Sequence, residues 1–93
     1  MESFVRYFGR AEGRVQGVGF RMFVQQHAME LNLTGWVRNM EDGSVTMEVQ
    51  GTQVNVDRLA DFIRQGNFFI KVKSLSFEGR SVLSDENRFV VRY

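Results

Sequence analysis

The residues whose types and spacing suit chemistry lie in one stretch, Gly13-Arg14-Val15-Gln16-Gly17-Val18-Gly19-Phe20-Arg21. Its glycines permit backbone conformations in which successive N–H groups turn toward one point. The run that follows is amphipathic, and the start of a helix there would add its positive end. Arg21 adds a fixed fork of donors suited to phosphate oxygens. Together these features outline a site for one small anion, a phosphate above all. Arg21 falls in the first helical turn, where the dipole disfavours a cation, and a bound anion would offset both positive charges at once.

The elements that must position this stretch follow from hydrophobic periodicity. Alternation from Phe4 to Glu12 predicts a first strand, which the glycines from Gly13 to Gly19 are expected to end. Phe20, Phe23, Val24, Ala28 and Leu31 recur at helical spacing, with Asn32 as the stop. Thr34 to Asn39 and Ser44 to Gln50 alternate on either side of Glu41-Asp42-Gly43, which predicts a hairpin with Asn39 at its near end. Thr52 suits an N-cap for a second helix carrying Val56, Leu59, Ala60 and Ile63, ended by Gly66. A fourth strand is expected over Phe68 to Phe77, a polar loop over Glu78 to Asn87 and a short fifth strand over Arg88 to Tyr93.

The order βαββαβ plus a terminal strand predicts an α+β fold, a ferredoxin-like two-layer sandwich with an antiparallel sheet in the order 4-1-3-2. That order brings the first strand beside the third, and so the glycine loop near the hairpin that carries Asn39. The 93 residues, 43% hydrophobic, suit one domain over 1–93 with a single core.

Composition removes several classes of chemistry. There is no cysteine, so disulfides, thiolate metal sites and a thiol nucleophile are excluded, and the single histidine, His27, gives no His-rich metal site. His27 itself is read as a packing or surface residue. A formal charge of +1 supplies no broad field for nucleic acid. Arginine outnumbers lysine ten to two, but apart from Arg21 each arginine is read as part of a solvated face. No run approaches the ~20 apolar residues of a membrane span, and the first residues lack the apolar core of a signal peptide. The expectation is a monomer of the cytoplasm without membrane or nucleic-acid partners.

The glycine stretch, followed by Gly35-Trp36-Val37-Arg38-Asn39, Asp42-Gly43-Ser44-Val45, Gly51 and a C-terminal aromatic strand ending in Tyr93, strongly resembles the acylphosphatases. The resemblance runs over almost the whole chain. It implies the ferredoxin-like fold and hydrolysis of the carboxyl–phosphate bond of acyl phosphates without metal or cofactor. It also implies residue roles: Arg21 binds phosphate, Asn39 positions water, and the backbone N–H groups of Gln16, Gly17, Val18, Gly19 and Phe20 cradle the phosphate. The small-molecule partner is then an acyl phosphate, with inorganic phosphate as product and inhibitor. One departure stands out: where the family often has Gly-Pro after the second helix, this chain has Gly66-Asn67 and then Phe68-Phe69-Ile70.

That chemistry suits the residue types. An acyl phosphate has a good leaving group, so water must be placed and charge on the phosphoryl oxygens stabilised. Neither Arg21 nor Asn39 can take a proton at neutral pH, which leaves the substrate phosphate as the acceptor. The alternative is a non-catalytic anion-binding or protein-interaction module that keeps the cradle and uses Phe68-Phe69 for a partner. An RNA-binding sheet is disfavoured, because the central strands lack the basic-aromatic pattern of such domains.

Overall fold

The computed structural model describes residues 3–93. The chain runs β1 (Phe4–Arg14), α1 (Phe20–Glu30), β2 (Thr34–Asn39), β3 (Val45–Thr52), α2 (Gln53–Gln65), β4 (Lys71–Arg80) and β5 (Phe89–Arg92). The strands form one sheet in the order β4-β1-β3-β2-β5. The central four are antiparallel as expected, and β5 joins the outer edge of β2 in parallel, from Gly35 opposite Phe89 to Arg38 opposite Arg92. The sheet is therefore mixed.

Both helices cover one face, α1 over β2 and β5 and α2 over β3 and β4. Val45, Met47 and Val49 of β3 meet Val24 and Ala28 of α1 and Leu59 and Ile63 of α2 in a core without water access. Each fully buried aliphatic side chain of this kind contributes about 1.5–3 kcal/mol. Local signals end the helices where expected. Leu33 N–H donates to Ala28 O at 2.9 Å across Asn32, whose φ of 57° turns the chain out of α1. Thr52 Oγ1 accepts from Asn55 N–H at 3.3 Å to cap α2.

Three expectations are corrected. Gly13 and Arg14 do not end β1; they continue it through a bulge against Val72 and Lys71 of β4. The bulge needs glycine, since a Cβ on Gly13, at φ 126°, would run into the β4 backbone. Phe68 and Phe69 lie outside β4, because Asn67 Oδ1 accepts from Phe69 N–H and Ile70 N–H, both at 2.8 Å, and holds a turn there. β4 accordingly runs on to Arg80.

The third correction concerns Arg6, which lies on the helix-free face yet is only 3% exposed. The segment 81–88 crosses that face as a strap and covers it. Arg6 grips Glu86 through Nη1 at 2.7 Å and Nη2 at 3.2 Å, and donates to Glu48 Oε1 through Nε at 2.7 Å. Gln50 exchanges two bonds with Leu83, Nε2 to its carbonyl at 2.8 Å and Oε1 from its N–H at 2.9 Å.

Candidate active site

β1 ends at Arg14, buried Val15 anchors the turn, and the chain enters α1 at Phe20. Gly17 and Gly19 both adopt positive φ, 74° and 78°. Gly19 caps α1 with no side-chain bond, and the first turn holds no acidic residue. Among the described residues, none of the backbone N–H groups from Gln16 to Met22 donates a hydrogen bond within the protein. A Cβ at Gly17 or Gly19 would meet only open space. The loop is thus an accessible set of unspent donors at the positive end of a helix.

The Gln16 side chain ties this loop to the hairpin. Its Nε2 donates to Met40 O at 2.7 Å and to Ser44 O at 2.8 Å. Met40 N–H in turn donates to Ser44 O at 2.9 Å, closing the turn that follows Asn39. Asn39 is the last residue of β2, opposite Val45. Its Oδ1 is buried and accepts no hydrogen bond; Thr34 Oγ1 is the other such side-chain atom among the described residues. A buried acceptor left without a partner is costly, which sets Asn39 apart from the other side chains of β2 except Thr34.

Asp42 holds the hairpin tip. Its Oδ1 accepts from Ser44 Oγ at 2.6 Å and Ser44 N–H at 2.9 Å, and its Oδ2 from Arg10 Nη2 at 2.7 Å. The Ser44 hydroxyl first, then its N–H and the Arg10 guanidinium, hold the Asp42 carboxyl below the usual carboxylate range.

Arg21 is held from the edge strand of the sheet. Its Nη1 donates to Arg92 O at 3.2 Å, and its guanidinium carbon stands 4.6 Å from the centre of the Tyr93 ring. Gln25, one turn on, donates to Phe89 O at 3.2 Å, so α1 grips both ends of β5. Arg92 faces Arg38 in the parallel register, and Asn39 is the next residue of β2. Arg21 and the loop therefore reach the end of β2 by two routes, one through β5 and one through Gln16.

His27, Trp36 and the Phe68-Phe69 pair lie apart from the loop and the hairpin tip. His27 packs face to face on Phe62 at 4.1 Å and edge-on to Phe23 at 4.6 Å, a packing residue between the helices. Trp36 lies under Arg92, whose guanidinium carbon stands 4.9 Å from the ring centre. Phe68 and Phe69 are 82% and 61% exposed. The reading from sequence missed the Gln16 side chain as a strut, since only its backbone N–H was expected to act, and it missed Arg10, Arg92 and Tyr93 as supports. The Asp-Gly-Ser hairpin signal was the one cue to the Asp42 turn.

A ferredoxin-like sheet with a glycine loop tied to a hairpin turn defines a class of small α+β protein, and the comparisons with known proteins narrow it. The acylphosphatase family model matches residues 7–91. An acylphosphatase of Geobacillus kaustophilus is 51% identical over 82 residues, 88% of this chain and 87% of that protein. One of Clostridium beijerinckii is 44% identical over 89 residues, 96% of this chain and 99% of that protein. The crystal structure of acylphosphatase from Bacillus subtilis superposes with a TM-score of 0.90 at 36% identity, covering 96% of this chain and 99% of that one. The chain belongs to the acylphosphatase family, and it is an enzyme of acyl-phosphate hydrolysis.

Proposed function

We propose that the phosphoryl group of an acyl phosphate is held by the N–H groups of Gln16, Gly17, Val18, Gly19 and Phe20 together with Arg21, while Asn39 positions the attacking water. The observation that carries this reading is the pairing of unspent donors in the 16–20 loop with an unpartnered buried acceptor, Asn39 Oδ1, across the Gln16 strut. Water donates one hydrogen to Asn39 Oδ1 and directs a lone pair at phosphorus. The bond between phosphorus and the acyl oxygen breaks, and its electron pair leaves with the carboxylate. The proton released by the water passes to a phosphate oxygen, because neither Arg21 nor Asn39 can accept it. Charge that builds on the phosphoryl oxygens meets donors already aimed and needing no reorganisation. A carboxylate leaves without protonation, whereas a simple phosphate ester needs a general acid that these residues do not supply. Inorganic phosphate, the product, occupies the same donors and inhibits competitively.

The test is benzoyl phosphate hydrolysis by the wild type, Arg21→Ala and Asn39→Ala, with inorganic phosphate as inhibitor. Arg21→Ala is expected to lose phosphate affinity and turnover together, by about 3–4 kcal/mol in the transition state. Asn39→Ala is expected to lose turnover while its inhibition constant for phosphate stays close to that of the wild type. Equal loss of both in Asn39→Ala would make the amide a binding group, and parental turnover by Arg21→Ala would remove the guanidinium from the reaction. Phosphate protection without turnover in the wild type would leave a binding module.

A further inference from the structure

A densely bonded polar cluster lies outside the proposed site, on the helix-free face of the sheet. Arg6 is the one buried arginine among the described residues, and it carries two carboxylates, Glu48 and Glu86, with Gln50 Oε1 at 3.2 Å from its Nη1. A buried ion cluster of this kind is weak evidence of stabilisation for its own sake, since desolvation offsets most of the attraction. Its geometry has another consequence. Glu86 and Leu83, both gripped from the sheet, belong to the strap, and three residues after Glu86 the chain enters β5.

β5 is four residues long, lies at the sheet edge and pairs on one side only. Such a strand depends on its attachments for position. Its far end supplies the groups that hold Arg21, the Arg92 carbonyl and the Tyr93 ring. The near end is fixed by Gly35 N–H donating to Arg88 O at 3.1 Å, by Gln25 and by the strap.

We infer that Arg6 is a positioning residue for Arg21: by clamping the strap through Glu86 it fixes the path of β5, whose end holds the phosphate-binding guanidinium in place. The inference rests on the proposed role of Arg21. The charge state suits a permanent clamp. Burial alone would raise the Glu86 carboxyl, but Arg6 together with its polar neighbours, Arg92 among them, outweighs it and holds the group below its ordinary value. Burial alone would lower Arg6, and Glu86 with Glu48 raises it instead. Lysine cannot replace arginine here, because one ammonium cannot serve both carboxylates with the same fork.

The inhibition constant of inorganic phosphate separates positioning from mere stability. Loss of folded molecules lowers the maximal rate but leaves that constant unchanged, whereas a misplaced Arg21 raises it. The variants are Glu86→Gln, Arg6→Lys, Tyr93→Ala and the double variant Glu86→Gln/Tyr93→Ala, each measured with benzoyl phosphate where circular dichroism shows folded protein. Glu86→Gln keeps the side-chain shape and removes only the charge, so it carries the test if Arg6→Lys does not fold. Glu86→Gln and Arg6→Lys are expected to raise the constant by about 3–10-fold, as for a loosened charge-assisted donor. The double variant is expected to be no worse than the worse single one, because both act through one strand. An unchanged constant in Glu86→Gln, or additive effects in the double variant, overturns the inference. Arg21→Ala run in parallel keeps the two failures apart: if it binds phosphate like the wild type, the site reading itself is wrong.

Discussion

The Gln16 carboxamide donates to Ser44 O over 2.8 Å and to Met40 O over 2.7 Å, so one side chain joins the glycine loop to the hairpin turn that follows Asn39. The two halves of the site come from separate elements, and without this strut no described side-chain bond links the loop to the hairpin turn. Gln16→Ala is expected to cost about 1–2 kcal/mol of stability, because two carbonyls lose a donor. Its larger effect falls on alignment: kcat/KM for benzoyl phosphate should drop by about 10–100-fold, the scale of a small misplacement of reacting groups. Gln16→Glu should be worse, since a carboxylate would face two carbonyl oxygens. Urea titration and steady-state kinetics measure the two effects separately, and wild-type kcat/KM in a folded Gln16→Ala would show that the strut is not needed.

Glycine serves two unlike purposes at Gly19 and Gly35, and alanine separates them. Gly35 has φ 138°, and a Cβ there would collide with the Glu48 carbonyl oxygen of β3. Gly35→Ala is therefore expected to abolish folding or to cost more than about 4 kcal/mol, since backbone on a central strand cannot yield. Gly19 also has positive φ, but its Cβ would enter open space. Gly19→Ala should fold, with about 1–2 kcal/mol of backbone strain, while the new methyl group occupies the space in front of the loop donors. The expected result is a soluble protein with weakened inhibition by inorganic phosphate. Unweakened inhibition would mean that phosphate does not approach this backbone.

The contrast between Arg21 and Arg6 shows how far the sequence alone could lead. The role proposed for Arg21 rests on its neighbours in the chain, Gly17 and Gly19: a glycine turn, a helix start and a guanidinium are local features. Arg6 was not legible in this way, because its burial depends on Glu86, eighty residues away. Strand alternation assigns a side chain to a face but not a cover to that face, so Arg6 was expected to be solvated. β4 failed for the opposite reason. Phe68-Phe69-Ile70 has strand propensity, and the Asn67 carboxylate-like reach of one amide oxygen to two N–H groups overrode it. The strand order held because short connections and right-handed crossovers leave few alternatives.

Phe68 and Phe69 provide a check on whether exposed rings matter to the reaction. They stack edge to face at 5.2 Å on the rigid Asn67 turn, with little core contact to lose. Phe68→Ser/Phe69→Ser is expected to change stability by no more than about 0.5 kcal/mol per site, the usual range for exposed positions. Benzoyl phosphate turnover should stay at the parental level, and retention on a hydrophobic column should fall. A lower kcat/KM at unchanged stability would instead place the rings in contact with the acyl group. Asn67→Ala is the structural control: it frees two N–H groups and should destabilise the turn with both rings still present.

Asp42 links the hairpin to pH with a definite sign. The Ser44 hydroxyl and N–H, then Arg10, depress its carboxyl in the folded protein, whereas in the unfolded chain an aspartate titrates near ~3.9. A depressed folded value means that the unfolded state binds the proton first. The stabilisation is therefore complete above the unfolded value and is lost as the pH falls toward and through the folded one. Glu86 shares this sign, held charged by Arg6 against burial. Asp42→Asn removes the charge at every pH, so the stability gap between wild type and variant should be widest near neutrality and narrow below about pH 4. Urea midpoints at several pH values measure that gap. A gap that stays constant from neutral to strongly acidic pH would show that Ser44 and Arg10 do not depress Asp42, and that the hairpin tip is held by shape rather than by charge.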